Sequence, residues 1–138
     1  MKPKYWNKGK FYLSNKDKVL KKIIDQFPNQ SLQLNNNSFQ ALINSIIGQQ
    51  ISTKAADSIW SKFEKKCNKR IKPKIILKIS SRNLKSVGLS RQKISYLKNI
   101  AKAFTSKSFD VAKLKKMSDS DAINYITCLL YTSDAADE

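Results

Sequence analysis

The stretch FQALINSIIGQQISTKAADSIWSKF, residues 39–63, decides the fold of this chain. Apolar side chains recur in its first half at the spacing of a buried helix face: Phe39, Leu42, Ile43, Ile46 and Ile47. We predict a helix that starts at Ser38 and stops at Gly48, where two glutamines follow. A second helix should begin after Ser52, a typical N-cap, and run to about Cys67. The stretch is therefore two apolar helices joined by a tight, uncharged turn.

The rest of the chain shows the same helical periodicity. Residues typical of helix starts and ends punctuate it: Ser14 and Asp17 in a capping-box spacing, Pro28, Pro73, Gly88, Ser90, and Ser118 and Asp121 in a second capping-box spacing. A helix is predicted from Ser14 until just before Pro28, and others follow Ser90 and Ser118. No strand-like alternation of apolar and polar residues is present. We predict an all-α fold, a compact helical bundle.

The charge of the chain indicates a polyanionic partner. The formal net charge is +17, and all but three of the 27 basic residues are lysine. This excess of lysine over arginine is typical of the codon usage of an AT-rich bacterial genome. Part of the positive charge therefore reflects codon bias rather than a binding partner. A field this positive favours nucleic acid first and an anionic membrane surface second. Because no long apolar stretch or signal peptide is present, we expect a cytoplasmic, nucleoid-associated protein and no membrane partner.

The residue types present exclude several kinds of site. The chain has no histidine, two cysteines (Cys67 and Cys128) and three glycines. Ser-His-Asp triads, Cys-His dyads, histidine-bound zinc and a glycine-rich phosphate loop are therefore excluded. We expect no metal and no cofactor.

The last eleven residues, CLLYTSDAADE (128–138), differ in composition from what precedes them. They contain no lysine or arginine and include three acids. Back-translated, they resemble a transposase adapter used in sequencing libraries, so we predict a non-native tail after Thr127. The predicted organisation is an N-terminal extension (1–13), an incomplete helical domain (14–127) and this tail (128–138).

Three segments together resemble the helix-hairpin-helix DNA glycosylases: residues 39–63, LKSVGLSRQKISYLKNIAKAF (84–104) and MSDSDAINYI (117–126). The similarity is closest to the DNA-3-methyladenine glycosylase II branch. It implies the N-terminal part of a base-excision repair enzyme that hydrolyses the N-glycosidic bond of alkylated purines in damaged double-stranded DNA. The complete protein would act as a monomer. The family's hairpin and catalytic aspartate would follow Thr127, so no catalytic residue is assigned within this chain, and we expect it to be inactive.

The resemblance gives the Gln-Gln turn a role. An enzyme that acts on a base must rotate it out of the duplex, which costs a few kcal/mol of stacking and pairing. In this family, the residue that matches Gln50 enters from the minor groove and fills the hole. A glutamine is long, uncharged and able to hydrogen-bond the orphaned base. Gly48 is expected to let the backbone turn, and Gln49 to brace the turn.

The second turn, Gly88–Arg91, matches the family segment that faces the strand opposite the lesion. The candidate DNA contacts from both turns and the helices behind them are Gln49, Ser52, Lys54, Leu89, Ser90, Arg91 and Lys93. Of these, Lys54, Arg91 and Lys93 are the candidate phosphate contacts, because backbone N–H groups at helix N-termini also attract phosphate.

Several alternatives stay open at this point. The Gln-Gln turn could be an ordinary solvated turn, and Leu89 could be a helix-packing residue. Trp60 and Phe63 are expected in the core rather than at a base. The base specificity could differ, with oxidised or mismatched bases as targets. Finally, the whole chain could be a non-enzymatic basic helical module that binds DNA or RNA.

Overall fold

The computed structural model describes residues 1–131. Over those residues the chain forms nine helices and no strand: α1 (Trp6–Lys16), α2 (Lys18–Gln26), α3 (Ser38–Gly48), α4 (Thr53–Lys66), α5 (Pro73–Lys78), α6 (Ser81–Ser86), α7 (Arg91–Thr105), α8 (Val111–Leu114) and α9 (Asp119–Tyr131). The all-α prediction is confirmed. None of these helices is long and apolar enough to cross a membrane.

The chain divides into two compact units after Asn36. The N-terminal unit contains α1 and α2, which pack against each other. The single helix predicted from Ser14 is wrong, because Ser14 lies inside α1 and the break comes at Asp17. The Asp17 carboxylate accepts hydrogen bonds from the Val19 and Leu20 N–H groups at 2.7 and 3.0 Å. A carboxylate that satisfies two free N–H groups is a strong N-cap, so a new helix starts there.

The second unit, from Asn37 onward, is built around α7. This helix packs against α3, α5, α6 and α9. The residues without solvent exposure are almost all apolar side chains from these helices and from α4: Ile43, Ile47, Phe63, Cys67, Ile76, Leu84, Leu97 and Ala101. Phe63 is a core residue as predicted, while Trp60 is only partly buried against that core.

A row of aromatic rings links the start of α3, the end of α7 and the middle of α9. Phe39 packs edge-on against Phe104 with 5.0 Å between ring centroids, and Phe104 lies 5.2 Å from Phe109. Phe109 stacks on Tyr125 at 4.8 Å, and the Tyr125 hydroxyl accepts a hydrogen bond from the Asp110 N–H. These contacts hold α9 to the unit, because edge-to-face and offset ring pairs add to the energy of apolar burial.

The last helix runs through the start of the predicted tail. Residues 128–131 continue α9, and Leu130 packs against the core. The rest of that segment, 132–138, lies outside the described residues, so its adapter origin stays a prediction.

Candidate nucleic-acid interface

The turn between α3 and α4 presents two exposed glutamines in different backbone conformations. Gln49 is extended, with φ −60° and ψ 134°, whereas Gln50 has φ +58°. The expectation that Gly48 makes the turn is wrong, because Gly48 is the last residue of α3. A Cβ added at Gly48 would lie 3.9 Å from the Ala56 Cβ, which is an ordinary contact, so this position does not require glycine. Gln50 instead adopts the left-handed conformation just after the helix C-cap, where glycine is the usual residue. The turn ends at Ser52, whose hydroxyl accepts a hydrogen bond from the Ala55 N–H.

The second turn lies next to the first because α7 packs against α3. Gly88 has φ +102°, and a Cβ there would come within 3.2 Å of the Ile59 side chain, so this turn does need a glycine. Ser90 is the N-cap of α7 and accepts a hydrogen bond from the Lys93 N–H. Ser90 and Arg91 are exposed. Leu89 is only 2% exposed, which matches the packing alternative rather than a DNA contact.

Lys93 joins the two turns. Its Nζ donates hydrogen bonds to the backbone carbonyls of Ile47 and Gln49, each at 2.8 Å. The structure therefore places Lys93 against the end of α3 rather than free at the surface, contrary to its prediction as a phosphate contact. A lysine satisfies the unpaired carbonyls of a helix C-terminus and complements the helix dipole there. Gln49 does take part in bracing the turn, through its carbonyl.

A basic cavity of about 540 Å³ opens between α6 and α7. Its charged lining residues are Arg82, Lys85, Arg91 and Lys98. The sequence analysis missed Arg82 and Lys85, because the short α6 showed too little periodicity to separate an exposed basic face from the buried Leu84. Their spacing, three residues apart on one helix, was the available signal.

Comparison with known proteins fits this arrangement. The model for HhH-GPD superfamily base excision DNA repair proteins matches residues 43–133, which include both turns and more than half of the chain. This chain belongs to the HhH-GPD superfamily. The predicted helix-hairpin-helix glycosylase family is thereby confirmed.

Two solved structures resemble this HhH-GPD chain. A DNA-3-methyladenine glycosidase from Bacillus halodurans matches with a TM-score of 0.64 and 29% identity, over 77% of this chain and 51% of its own. The 3-methyladenine DNA glycosylase Mag1 of Schizosaccharomyces pombe, in complex with abasic DNA, matches with a TM-score of 0.73 and 24% identity. That match covers 87% of this chain and 61% of the yeast chain. The chain thus spans about half to three fifths of these proteins, both of which are 3-methyladenine glycosylases. No curated protein matches it in sequence.

The Lys98 ammonium is hydrogen-bonded to the backbone of the HhH-GPD domain, unlike the other cations that line the basic cavity. Its Nζ donates hydrogen bonds to the carbonyls of Ile76, Leu77 and Ile79 at the end of α5. Burial lowers the pKa of this amine, and repulsion from Lys102 lowers it further. Three donated hydrogen bonds still require all three N–H groups of an ammonium. Lys98 therefore serves as a helix C-cap, and Arg82, Lys85 and Arg91 remain to face a ligand.

No carboxylate lines the basic cavity. The acids in residues 1–131 belong to helix ends or outer faces: Asp17, Asp25, Asp57, Glu64, Asp110, Asp119 and Asp121. Asp25, for example, pairs with Lys21 at 2.7 Å with both side chains exposed. Within the same residues, no three cysteine or acidic side chains come close enough to hold a metal ion. The described part of the chain therefore has an exposed basic cavity that no carboxylate lines.

Proposed function

We propose that this chain is the DNA-engaging part of a base-excision repair glycosylase that acts on alkylated purines such as 3-methyladenine in damaged duplex DNA. One observation carries the proposal: the exposed Gln50 occupies a left-handed turn, and Lys93, on the helix that follows the Gly88–Arg91 turn, hydrogen-bonds the carbonyl of the residue before it. Membership of the HhH-GPD superfamily and the two 3-methyladenine glycosylases that share the fold support it.

Gln50 is proposed as the minor-groove wedge. A non-glycine residue in the left-handed region costs about 1–2 kcal/mol, so a glutamine there is a poor choice for stability alone. Asn68, Lys69 and Lys107 also have positive φ, so the proposal rests on the place of Gln50 in the family resemblance together with this backbone strain. The Gln50 side chain is exposed, uncharged and long enough to occupy the gap left by an extruded nucleotide and to hydrogen-bond the base across from it.

The cations around the two turns are proposed to bind the DNA backbone. Lys54 is exposed on the first turn of α4, next to the Ser52 N-cap. Arg91 lies in the first turn of α7 and lines the basic cavity with Arg82 and Lys85. These side chains can neutralise phosphates and position the duplex without reading its sequence. The exposed hydroxyls of Ser52 and Ser90 and the Gln49 amide complete the proposed contacts.

The proposed chemistry is hydrolysis of the N-glycosidic bond. Alkylation at N3 or N7 makes a purine cationic and therefore a better leaving group. A carboxylate beside the sugar would stabilise the positive charge that develops on it and assist the attack of water. Because no carboxylate lines the basic cavity and neither turn contains an acid, we propose that the 138-residue chain by itself does not release bases. Measurable release of 3-methyladenine from alkylated DNA by the purified chain would contradict this.

Fluorescence of 2-aminopurine tests the wedge. The duplex carries 2-aminopurine opposite an abasic site, so a side chain that enters the gap changes the stacking of the probe. We expect Gln50→Ala to lose most of the fluorescence change while affinity for the duplex falls less than about threefold. Gln26→Ala, which removes an exposed amide from α2, is the control and should behave as wild type. An unchanged signal in Gln50→Ala would refute the wedge.

The same titration separates the enzyme from a plain nucleic-acid-binding module. A basic module should bind undamaged and abasic duplexes alike, with no wild-type fluorescence change at the abasic site. A repair glycosylase should prefer the abasic duplex. We also propose that the protein binds DNA as a monomer, which light scattering of the complex checks.

A further inference from the structure

Lys93 connects the end of α3 with the peptide bond that precedes the proposed wedge. One of its two acceptors, the Ile47 carbonyl, belongs to the last turn of α3. The other, the Gln49 carbonyl, is the oxygen of the peptide group that joins Gln49 to Gln50. A single ammonium therefore ties the helix end to the backbone immediately before Gln50.

We propose that Lys93 is a positioning residue that holds the Gln49–Gln50 peptide in the orientation from which the Gln50 side chain projects. The proposal rests on the proposed role of Gln50 as the wedge. It replaces the prediction that Lys93 contacts a phosphate, since two of the three ammonium N–H groups already have carbonyl partners.

The backbone at Gln50 explains why such a restraint is needed. The ψ of Gln49 (134°) and the φ of Gln50 (+58°) set the plane of the peptide group between them. Rotating that group by about half a turn would return Gln50 to negative φ, which residues other than glycine prefer. The same rotation would carry the Gln49 oxygen away from Lys93. The hydrogen bond thus opposes the motion that would relieve the Gln50 backbone.

The electrostatics of the helix end strengthen the restraint. Carbonyl oxygens at a helix C-terminus carry partial negative charge, and an ammonium placed there makes charge-assisted hydrogen bonds. The stem of Lys93 is half-buried on α7, whose own packing against α3 fixes where the ammonium can reach. A side chain from the neighbouring helix α7 therefore adds to the hydrogen bonds that the turn makes itself, such as that from the Gln49 N–H to the Ile46 carbonyl at 3.3 Å.

The chain supplies a matched control for this inference. Lys98 lies on the same helix and caps the end of α5 through the carbonyls of Ile76, Leu77 and Ile79. Replacing either lysine by methionine removes the ammonium and keeps most of the apolar stem. Both changes should reduce stability, but only Lys93→Met should affect the Gln-Gln turn.

The first measurement needs no DNA. Backbone ¹⁵N relaxation of the 138-residue chain reports the order parameter of the Gln50 amide. We expect it to fall from about 0.85, a rigid backbone, to below about 0.6 in Lys93→Met, and to stay at the wild-type value in Lys98→Met. An unchanged Gln50 order parameter in Lys93→Met would overturn the proposal, and so would an equal fall in both variants.

The second measurement uses the duplex with 2-aminopurine opposite an abasic site. We expect Lys93→Met to lose as much of the fluorescence change as Gln50→Ala, and the double variant to lose no more than either. If Lys93→Met instead weakens binding to every duplex alike, reduces the salt slope by about one and adds to Gln50→Ala, Lys93 is a phosphate contact and the proposal is wrong. A wild-type chain without any fluorescence change would refute the wedge, while the relaxation data would still decide whether Lys93 holds the turn.

Discussion

Replacing Gln50 by glycine should make the protein more stable while removing its proposed wedge. The left-handed φ of +58° costs a glutamine about 1–2 kcal/mol relative to glycine. Glycine loses more backbone entropy on folding, a cost of about 0.5–1 kcal/mol. The difference is a gain centred near about 0.7 kcal/mol in the free energy of unfolding, or roughly 3 °C in Tm for a unit of about 100 residues.

The neighbouring glutamine provides the control. Gln49 is equally exposed but has an ordinary φ of −60°. Gln49→Gly should therefore lower the free energy of unfolding by about 0.5–1 kcal/mol, because only the entropy cost applies. Gln50→Ala keeps the left-handed strain and should stay near wild type.

Urea unfolding of the purified variants, followed by circular dichroism and extrapolated linearly to water, measures these differences. The reasoning is refuted if Gln50→Gly is no more stable than Gln50→Ala, or if both glycine variants shift in the same direction. A gain in stability together with loss of the 2-aminopurine signal would show that the turn trades stability for function.

Three further predictions concern the rest of the second unit. Gly88→Ala should lower the free energy of unfolding by about 2 kcal/mol, because the alanine would have a left-handed backbone and its Cβ would lie 3.2 Å from the Ile59 side chain. Chemical unfolding measures this difference, and a loss below about 0.5 kcal/mol would contradict the prediction. Burial raises the pKa of the Cys67 thiol from 9.0 to about 11, so the folded state keeps this proton longer than the unfolded state does. The unfolding free energy of wild type relative to Cys67→Ala should therefore fall between pH 9 and about 11, by at most about 3 kcal/mol, and a flat difference across that pH window would argue against this. Replacing Arg82 and Lys85 together by glutamine should reduce the salt slope of duplex binding by roughly 2, equally for abasic and undamaged DNA; an unchanged slope would show that the basic cavity faces away from the backbone.

The apolar periodicity of the chain was enough to predict most of its helices. The caps at Ser52 and Ser90 were predicted because a serine directly before an apolar helical stripe is a typical N-cap, whose hydroxyl accepts a hydrogen bond from a free N–H of the first turn. The start of the first helix was predicted wrongly, because Ser14 and Asp17 are both typical N-cap residues and lie within one turn of each other. Only the packing of α1 shows that the new helix starts at Asp17. The four-residue α8 was not predicted, because one turn has no period to detect.

The candidate site was predicted in part. The sequence identified Gln50 through its family resemblance, and the exposed turn fits that assignment. It could not show that Gln50 itself has the positive φ, because a glycine two residues earlier is the simpler expectation. Nor could it separate Leu89 from an interface residue, since burial at a turn depends on the helices packed behind it.

The lysines of α7 show why net charge is a poor measure of the number of cations that a protein surface can offer to a polyanion. From the sequence, Lys93 and Lys98 each count as one positive charge available to a phosphate. In the fold, both ammonium groups donate hydrogen bonds to the carbonyl oxygens at the ends of α3 and α5. Each therefore does for a helix C-terminus what a capping glycine or a water molecule would otherwise do. The number of phosphates neutralised, read from the salt dependence of binding, should accordingly follow the exposed cations beside the two turns and stay well below the formal charge of +17.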